Sequence, residues 1–156
     1  MEKQPSSRTC FLCGRENDAG LRMAWYNDYA ARQVVAQITV PERFNGYPGV
    51  VHGGIVAALL DETAGRALLL DGDTDRLMVT LKLEVKYRHP TPAGEPLTVV
   101  GWVLKASRDR ARVAAELRLR DGTVTAEAEA ILVRPSSDIF ERWEPERKHW
   151  RVYDEG

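Results

Sequence analysis

The chain has 156 residues, 44% of them hydrophobic and 29% charged, with a formal net charge of −1. That length suits one domain around one core, and the composition is that of a soluble globular protein rather than a disordered or fibrous one. The near-neutral charge excludes the basic footprint of a nucleic-acid binder. No apolar run approaches the roughly 20 residues needed to span a bilayer, and MEKQPSSRTC at the start lacks the apolar stretch of a signal peptide. We therefore expect a cytoplasmic protein with neither membrane nor nucleic acid among its partners.

Residues 1–19 read as an N-terminal arm. It carries both cysteines, Cys10 and Cys13, in CFLCG. A structural zinc site usually takes four ligands; there is no second CxxC, and His52, His89 and His149 show no ligand spacing. We expect no metal, the alternative being one shared across a dimer. A redox CxxC normally opens a helix after a strand, whereas turn formers, CGRENDAG, follow this one. The simpler reading is a pair of small buried thiols pinning the arm.

GLRMAWYND and RQVVAQITV alternate as two strands of a hairpin turning around Asn27–Ala31. PERFNGYPGVVHGG is a loop dense in Gly and Pro. Residues 53–70 form a nearly apolar helix, followed by the turn DGDTDR. LMVTLKLEVKY then alternates strictly. Leu77, Val79, Leu81, Leu83, Val85 and Tyr87 share one face; Thr80, Lys82, Glu84 and Lys86 share the other. PLTVVGWVLKAS is apolar on both faces, as a central strand can be. RVAAELRLR and TVTAEAEAILV flank a DG turn. Sequential hairpins would make the last four strands antiparallel. Residues 135–156 are a peripheral tail. A near-apolar helix must be covered on most sides, and an antiparallel sheet curled around one long central helix, an α+β arrangement, meets that demand.

The helix ends its apolar run in two carboxylates. Glu62 has Arg66 four residues on, the favourable order for a helix ion pair. Asp61 has no such partner. Its neighbours three and four residues away, Ala57, Ala58, Ala64 and Gly65, are all small, so a ligand or a second chain can approach its carboxylate. An aspartate inside a helix is poor for propensity and costly when desolvated, which favours a functional reading. Gly53 and Gly54 open the helix, where free amides and the dipole favour negative charge, such as the oxyanion of an attacked carbonyl. Gly53 and Asp61 are eight residues apart, about 12 Å along the axis. One carbonyl cannot touch both within one chain, so joint action requires an antiparallel helix from a second subunit in a two-fold dimer.

VHGGIVAALLDE resembles the signature of hotdog-fold acyl-CoA thioesterases, in the phenylacetyl-CoA thioesterase-like branch. CFLCGRENDAGLRM looks like the N-terminal segment of a subgroup of these proteins, and VTLKLEVKYRHPTPAGE like the strand after the helix; the resemblance spans roughly residues 10–134. It implies a hotdog thioesterase domain over 20–134, between the arm and the tail. It implies a homodimer or a dimer of dimers that hydrolyses a fatty or aryl acyl-CoA thioester to free acid and CoA at subunit interfaces, with no cofactor beyond the CoA of the substrate. By position, Gly53 matches the amide that polarises the thioester carbonyl. Asp61 matches the catalytic carboxylate, general base or nucleophile. Thr80 matches a hydroxyl residue that helps hold water, although the alternation turns it to the polar face. Asn45, seven residues before His52, is the candidate for an amide side chain contacting the carbonyl. His52 and Gly54 fall in the substrate-binding loop, His52 with a structural part at the helix start. Arg88 and His89, or Lys105, Arg108, Arg110 and Arg112, are the cations available to the CoA phosphates. The competing readings are a non-catalytic acyl-CoA binding or regulatory protein and a hotdog acyl-thioester dehydratase. The latter usually wants a His–Asp or His–Glu pair, and no such motif surrounds His52.

Overall fold

The structure, a computed structural model, describes residues 1–74 and 76–154. Asp75, inside the expected 71–76 turn, and residues 155–156 of the expected tail lie outside the described residues.

The strands are β1 (Glu2–Lys3), β2 (Tyr26–Asp28), β3 (Gln33–Thr39), β4 (Val79–Tyr87), β5 (Pro96–Ala106), β6 (Arg110–Arg118) and β7 (Val124–Val133). They form one sheet of seven strands in the order β1-β2-β3-β5-β6-β7-β4, every pair antiparallel. The long helix α1 (Gly53–Arg66) lies across this sheet, against β5, β6 and β7. This is the expected hotdog arrangement. Val56, Leu59, Leu60 and Ala64 of α1 are buried against Val99, Val113, Leu117 and Ala130 of the sheet. Each buried leucine contributes about 1.5–3 kcal/mol. That outweighs the propensity penalty of an interior aspartate, at most about 0.7 kcal/mol, so α1 tolerates Asp61.

Several details differ from the expectation, among them the first strand, which is confined to Tyr26–Asp28 of GLRMAWYND. The α-helix ends at Arg66 and the chain continues as a 3-10 turn, Ala67–Asp71, closed by Gly72 at φ 94°. The N-terminal arm supplies an extra edge strand, β1, and Gln4 N–H donates to Trp25 C=O at 2.8 Å. Most important, β4 and β5 are not a hairpin. Pro90 and Pro92 in the link between them have no N–H to offer a ladder, and Val51 N–H donates to Thr91 C=O at 2.8 Å, tying the link to the loop before α1. β5 pairs instead with β3, and β4 crosses to the far side of the sheet to pair with β7. This leaves β4 an edge strand alongside α1.

The helix sits unusually close to the sheet at Gly101 of β5. A Cβ there would lie 2.5 Å from the Thr63 carbonyl oxygen. Thr63 is fully buried; its hydroxyl donates to Leu59 C=O at 2.7 Å and accepts from Trp25 Nε1 at 2.9 Å.

The tail contains α2 (Ser137–Trp143) and a 3-10 turn, Glu144–His149. It returns to the arm: Arg8 Nε donates to Glu146 Oε2 at 3.0 Å, and Ser6 and Arg151 form an antiparallel bridge. Between arm, helix and tail lies Arg66, whose side chain is only 4% exposed. Its guanidinium stacks over Trp25 at 4.2 Å and Trp150 at 5.3 Å and donates to Pro5 C=O at 2.8 Å.

Candidate active site

The candidate residues gather in two groups along α1. The first surrounds its C-terminal half. Asp61 is half-buried, and Thr80 Oγ1 donates to Asp61 Oδ1 at 2.7 Å. Strict alternation would turn Thr80 away from the helix. The structure corrects this: β4 carries a bulge between Thr80 and Lys82, where the register against β7 skips a residue. Leu81 is the extra residue and is 60% exposed. The bulge reverses the facing of the strand. Thr80 thus pairs with the buried Leu132 and shares the helix side with Leu83, which pairs with the buried Ala130.

Burial raises the Asp61 carboxyl above the usual aspartate range; the Thr80 hydrogen bond works against that rise, and the charge of Glu62 adds to it. Beside Asp61 lies a cleft of about 160 Å³ whose lining includes Gly65, Leu69, Met78, Thr80 and Leu132. Its lining is mixed: Leu69, Leu77, Met78 and Leu132 are apolar, while Glu62, Arg66, Thr74 and Arg76 bring polar and charged groups beside the carboxylate and the hydroxyl.

The second group lies at the start of α1. His52 is the N-cap, and its Nδ1 accepts from Gly54 N–H at 2.9 Å. This uses the Gly54 amide inside the chain. Gly53 N–H, by contrast, has no hydrogen-bond partner among the described residues, and Gly53 is exposed. Tyr87 Oη donates to Gly53 C=O at 2.6 Å, tying the helix start to the end of β4. Tyr87 was expected only as an apolar strand residue. No local signal marks it, because the contact depends on where β4 crosses the helix.

Asn45 pairs with Val51 in an isolated bridge, next to Phe44 C=O, which accepts from His52 N–H at 3.0 Å. The buried Asn45 Oδ1 has no hydrogen-bond partner among the described residues, a state that costs on the order of 1–3 kcal/mol. Arg88 and His89 follow Tyr87 and are exposed; Arg88 Nη2 donates to Glu127 Oε1 at 2.6 Å. Arg88 and His89 therefore lie at the Gly53 end of α1. Arg108 is exposed in the turn between β5 and β6, and Arg110 is exposed as the first residue of β6.

Glu62 is turned elsewhere. Its Oε1 accepts from Arg66 Nε at 3.0 Å, as the spacing suggested. What the spacing did not show is the burial of Arg66 or the two arm cysteines beside Glu62. Cys13 is buried, and its thiol is pushed below the usual thiol range, chiefly by a hydrogen bond from Cys10, with burial opposing and Arg66 and Ser7 adding to the effect; the same bond, with burial, pushes the Cys10 thiol up.

Residues 48–126 match the model of the thioesterase superfamily. Acyl-coenzyme A thioesterase THEM4 of Rattus norvegicus is 25% identical over 138 residues, covering 88% of this chain and 58% of the relative. This chain thus spans little more than half of that relative's length. The crystal structure of a thioesterase superfamily protein superposes with a TM-score of 0.73 at 30% identity, over 81% of this chain and 63% of that one. A Ralstonia eutropha JMP134 protein, described as a putative, phenylacetic acid degradation-related thioesterase, superposes with a TM-score of 0.64 at 23% identity, over 73% and 86% of the two chains. The last shares the fold. No described helix is long and apolar enough to cross a membrane.

Proposed function

The chain belongs to the thioesterase superfamily, and from that premise we propose that it is an acyl-CoA thioesterase acting as a homodimer, with Asp61 as its catalytic carboxylate. One observation carries this reading: a half-buried aspartate on a largely apolar helix, its Oδ1 held by the Thr80 hydroxyl at 2.7 Å, beside a cleft that Leu69, Met78 and Leu132 help to line. With Oδ1 engaged, Oδ2 is left to take a proton from water. Desolvation makes that carboxylate more basic, which suits a general base. The water attacks the thioester carbonyl, and the bond to sulfur breaks as the tetrahedral intermediate collapses to acid and CoA thiolate.

The oxyanion needs a donor. Gly53 N–H is available, but it lies eight residues from Asp61 on the same helix, about 12 Å away. In a two-fold dimer, Gly53 of a second copy would meet Asp61 of the first. The outer edge of β4 supports that assembly. It is an unpaired strand edge bearing Leu81, 60% exposed, and Tyr87, 54% exposed, which proteins usually cover. Arg88 and His89 lie at the Gly53 end of the helix, where CoA phosphates would find positive charge. The acyl-CoA substrate class is the one named in THEM4.

The test is thiol release from short, medium, long and aryl acyl-CoAs, with oligomeric mass measured by light scattering. Turnover by a dimer or tetramer that Asp61→Asn abolishes supports the reading. A folded protein that gains thermal stability from acyl-CoA yet releases no thiol would instead be a binding module.

A further inference from the structure

The N-terminal arm holds a cluster that the hydrolytic site does not use. Cys10 Sγ, Cys13 Sγ and a carboxylate oxygen of Glu62 all lie within 4.8 Å of one another. The two sulfurs come from one tight turn and the carboxylate from α1, a different element some fifty residues on. We propose that Cys10, Cys13 and Glu62 form a binding site for a thiophilic divalent cation of the zinc class, which fastens the arm to α1.

The turn is shaped for this. Gly14 N–H donates to Cys10 C=O at 2.7 Å, and a Cβ on Gly14 would lie 2.3 Å from that oxygen. Only glycine closes the loop so tightly, and the closure brings the two sulfurs to one side. Backbone amides then point at both sulfurs: Leu12 N–H at Cys10 Sγ, 3.3 Å, and Ser7 N–H at Cys13 Sγ, 3.4 Å. Amides directed at sulfur favour the thiolate, the form that binds metal. A zinc tetrahedron with Zn–S bonds of about 2.3 Å spaces its sulfurs by roughly 3.8 Å, within the spread of the three donors.

Glu62 decides between a cation and a disulfide. A disulfide has no use for a carboxylate beside it, and the carboxylate's charge opposes formation of the attacking thiolate. For a cation the same carboxylate is a third ligand. Its Oε1 accepts from Arg66 Nε at 3.0 Å, and Oε2 has no hydrogen-bond partner among the described residues. The charges also balance: two thiolates and one carboxylate offset a divalent ion together with the buried Arg66. A water takes the fourth position, on the side of the half-buried Cys10. Binding one ion displaces into the buffer whatever protons the two thiols still hold.

The experiment uses the full chain, reduced, treated with chelator and desalted, then titrated with cobalt(II) and afterwards with zinc(II). The expected result is one cobalt per chain, with a thiolate-to-cobalt charge-transfer band in the near ultraviolet that zinc bleaches stoichiometrically. Zinc also raises the melting temperature. Cys13→Ser abolishes the band, and Glu62→Gln, which leaves both sulfurs in place, weakens cobalt binding about tenfold or more. Far-ultraviolet circular dichroism checks that each variant is folded. The proposal is overturned if folded, reduced wild-type protein gives no band, or if Cys10→Ser and Cys13→Ser bind the ion as the wild type does. Loss of both free thiols in air with no cobalt band would establish a disulfide instead. None of these readouts depends on hydrolysis.

Discussion

Thr80 reaches Asp61 because Leu81 does not belong to the ladder. The extra residue between Thr80 and Lys82 turns the Thr80 hydroxyl toward α1, where it donates to Asp61 Oδ1 at 2.7 Å. Hydrogen bonds to charged acceptors are worth about 1.5–3 kcal/mol. Thr80→Val keeps the shape of the side chain and removes the donor. We expect it to lower kcat/KM by about tenfold or more, and to move the acid limb of the pH–rate profile upward, because this bond is what opposes the desolvation of Asp61. A pH profile of the variant that overlays the wild type would remove Thr80 from the site.

Asp61→Asn should lower hydrolysis by about a hundredfold or more, the scale of a lost acid–base group, while stabilising the fold. The folded-state carboxyl is raised above its unfolded value, chiefly by burial. Between those two values the native state binds more protons than the unfolded chain, so stability falls as pH rises through that window and remains lower above it. Asparagine does not ionise and still accepts from Thr80. At neutral pH the variant should therefore melt higher than the wild type, and the difference should vanish in acid. Melting curves across pH decide the matter.

Two glycines separate fold from chemistry. A Cβ on Gly101 would meet the Thr63 carbonyl oxygen at 2.5 Å, whereas a Cβ on Gly53 would meet only the Tyr87 ring, at an ordinary 3.6 Å. Gly101→Ala must lift α1 off the sheet, at a cost of about 1–3 kcal/mol for an overpacked core. Gly53→Ala should leave the urea midpoint nearly unchanged and reduce turnover by crowding the free amide.

Arg66 should tolerate no substitute. It binds Glu62, Gln4 and Pro5 and stacks on two tryptophans. Arg66→Met leaves those acceptors unpaired and should cost on the order of 3 kcal/mol. Arg66→Lys should also destabilise, since an ammonium cannot reproduce the planar fork or the stacking. Urea unfolding of both variants gives the values.

Part of this site can be read along the chain, and part cannot. Asp61 stands out because four small helical neighbours surround it, and the Glu62–Arg66 pair follows from spacing alone. Both are properties of a single helix. The direction of Thr80 is not legible, because a period-two pattern gives no warning of a residue inserted by a bulge. The place of β4 is not legible either. Proline and glycine between two strands suggest a hairpin, but β3 holds the edge of β5 that a hairpin would need. Arg66 looks like a surface cation until residues far away in sequence, Trp25 and Trp150, enclose it. Glu62 meets Cys10 and Cys13 for the same non-local reason. The alternation of the sheet and the apolar stripe of α1, by contrast, are local and were readable.

The arm and the tail hold each other. The Ser6–Arg151 bridge and the Arg8–Glu146 pair bring the arm and the tail side by side, so the path between residues 6 and 151 almost closes on itself. Loop-closure entropy grows only slowly with length, and here the fold has already brought those two points together. A short linker from the Ser6 region to the Arg151 region should do little harm, and the chain could be opened at an exposed turn such as the one at Gly122. Cutting away the arm or the tail, by contrast, loosens both and lets water reach the guanidinium between the two tryptophans.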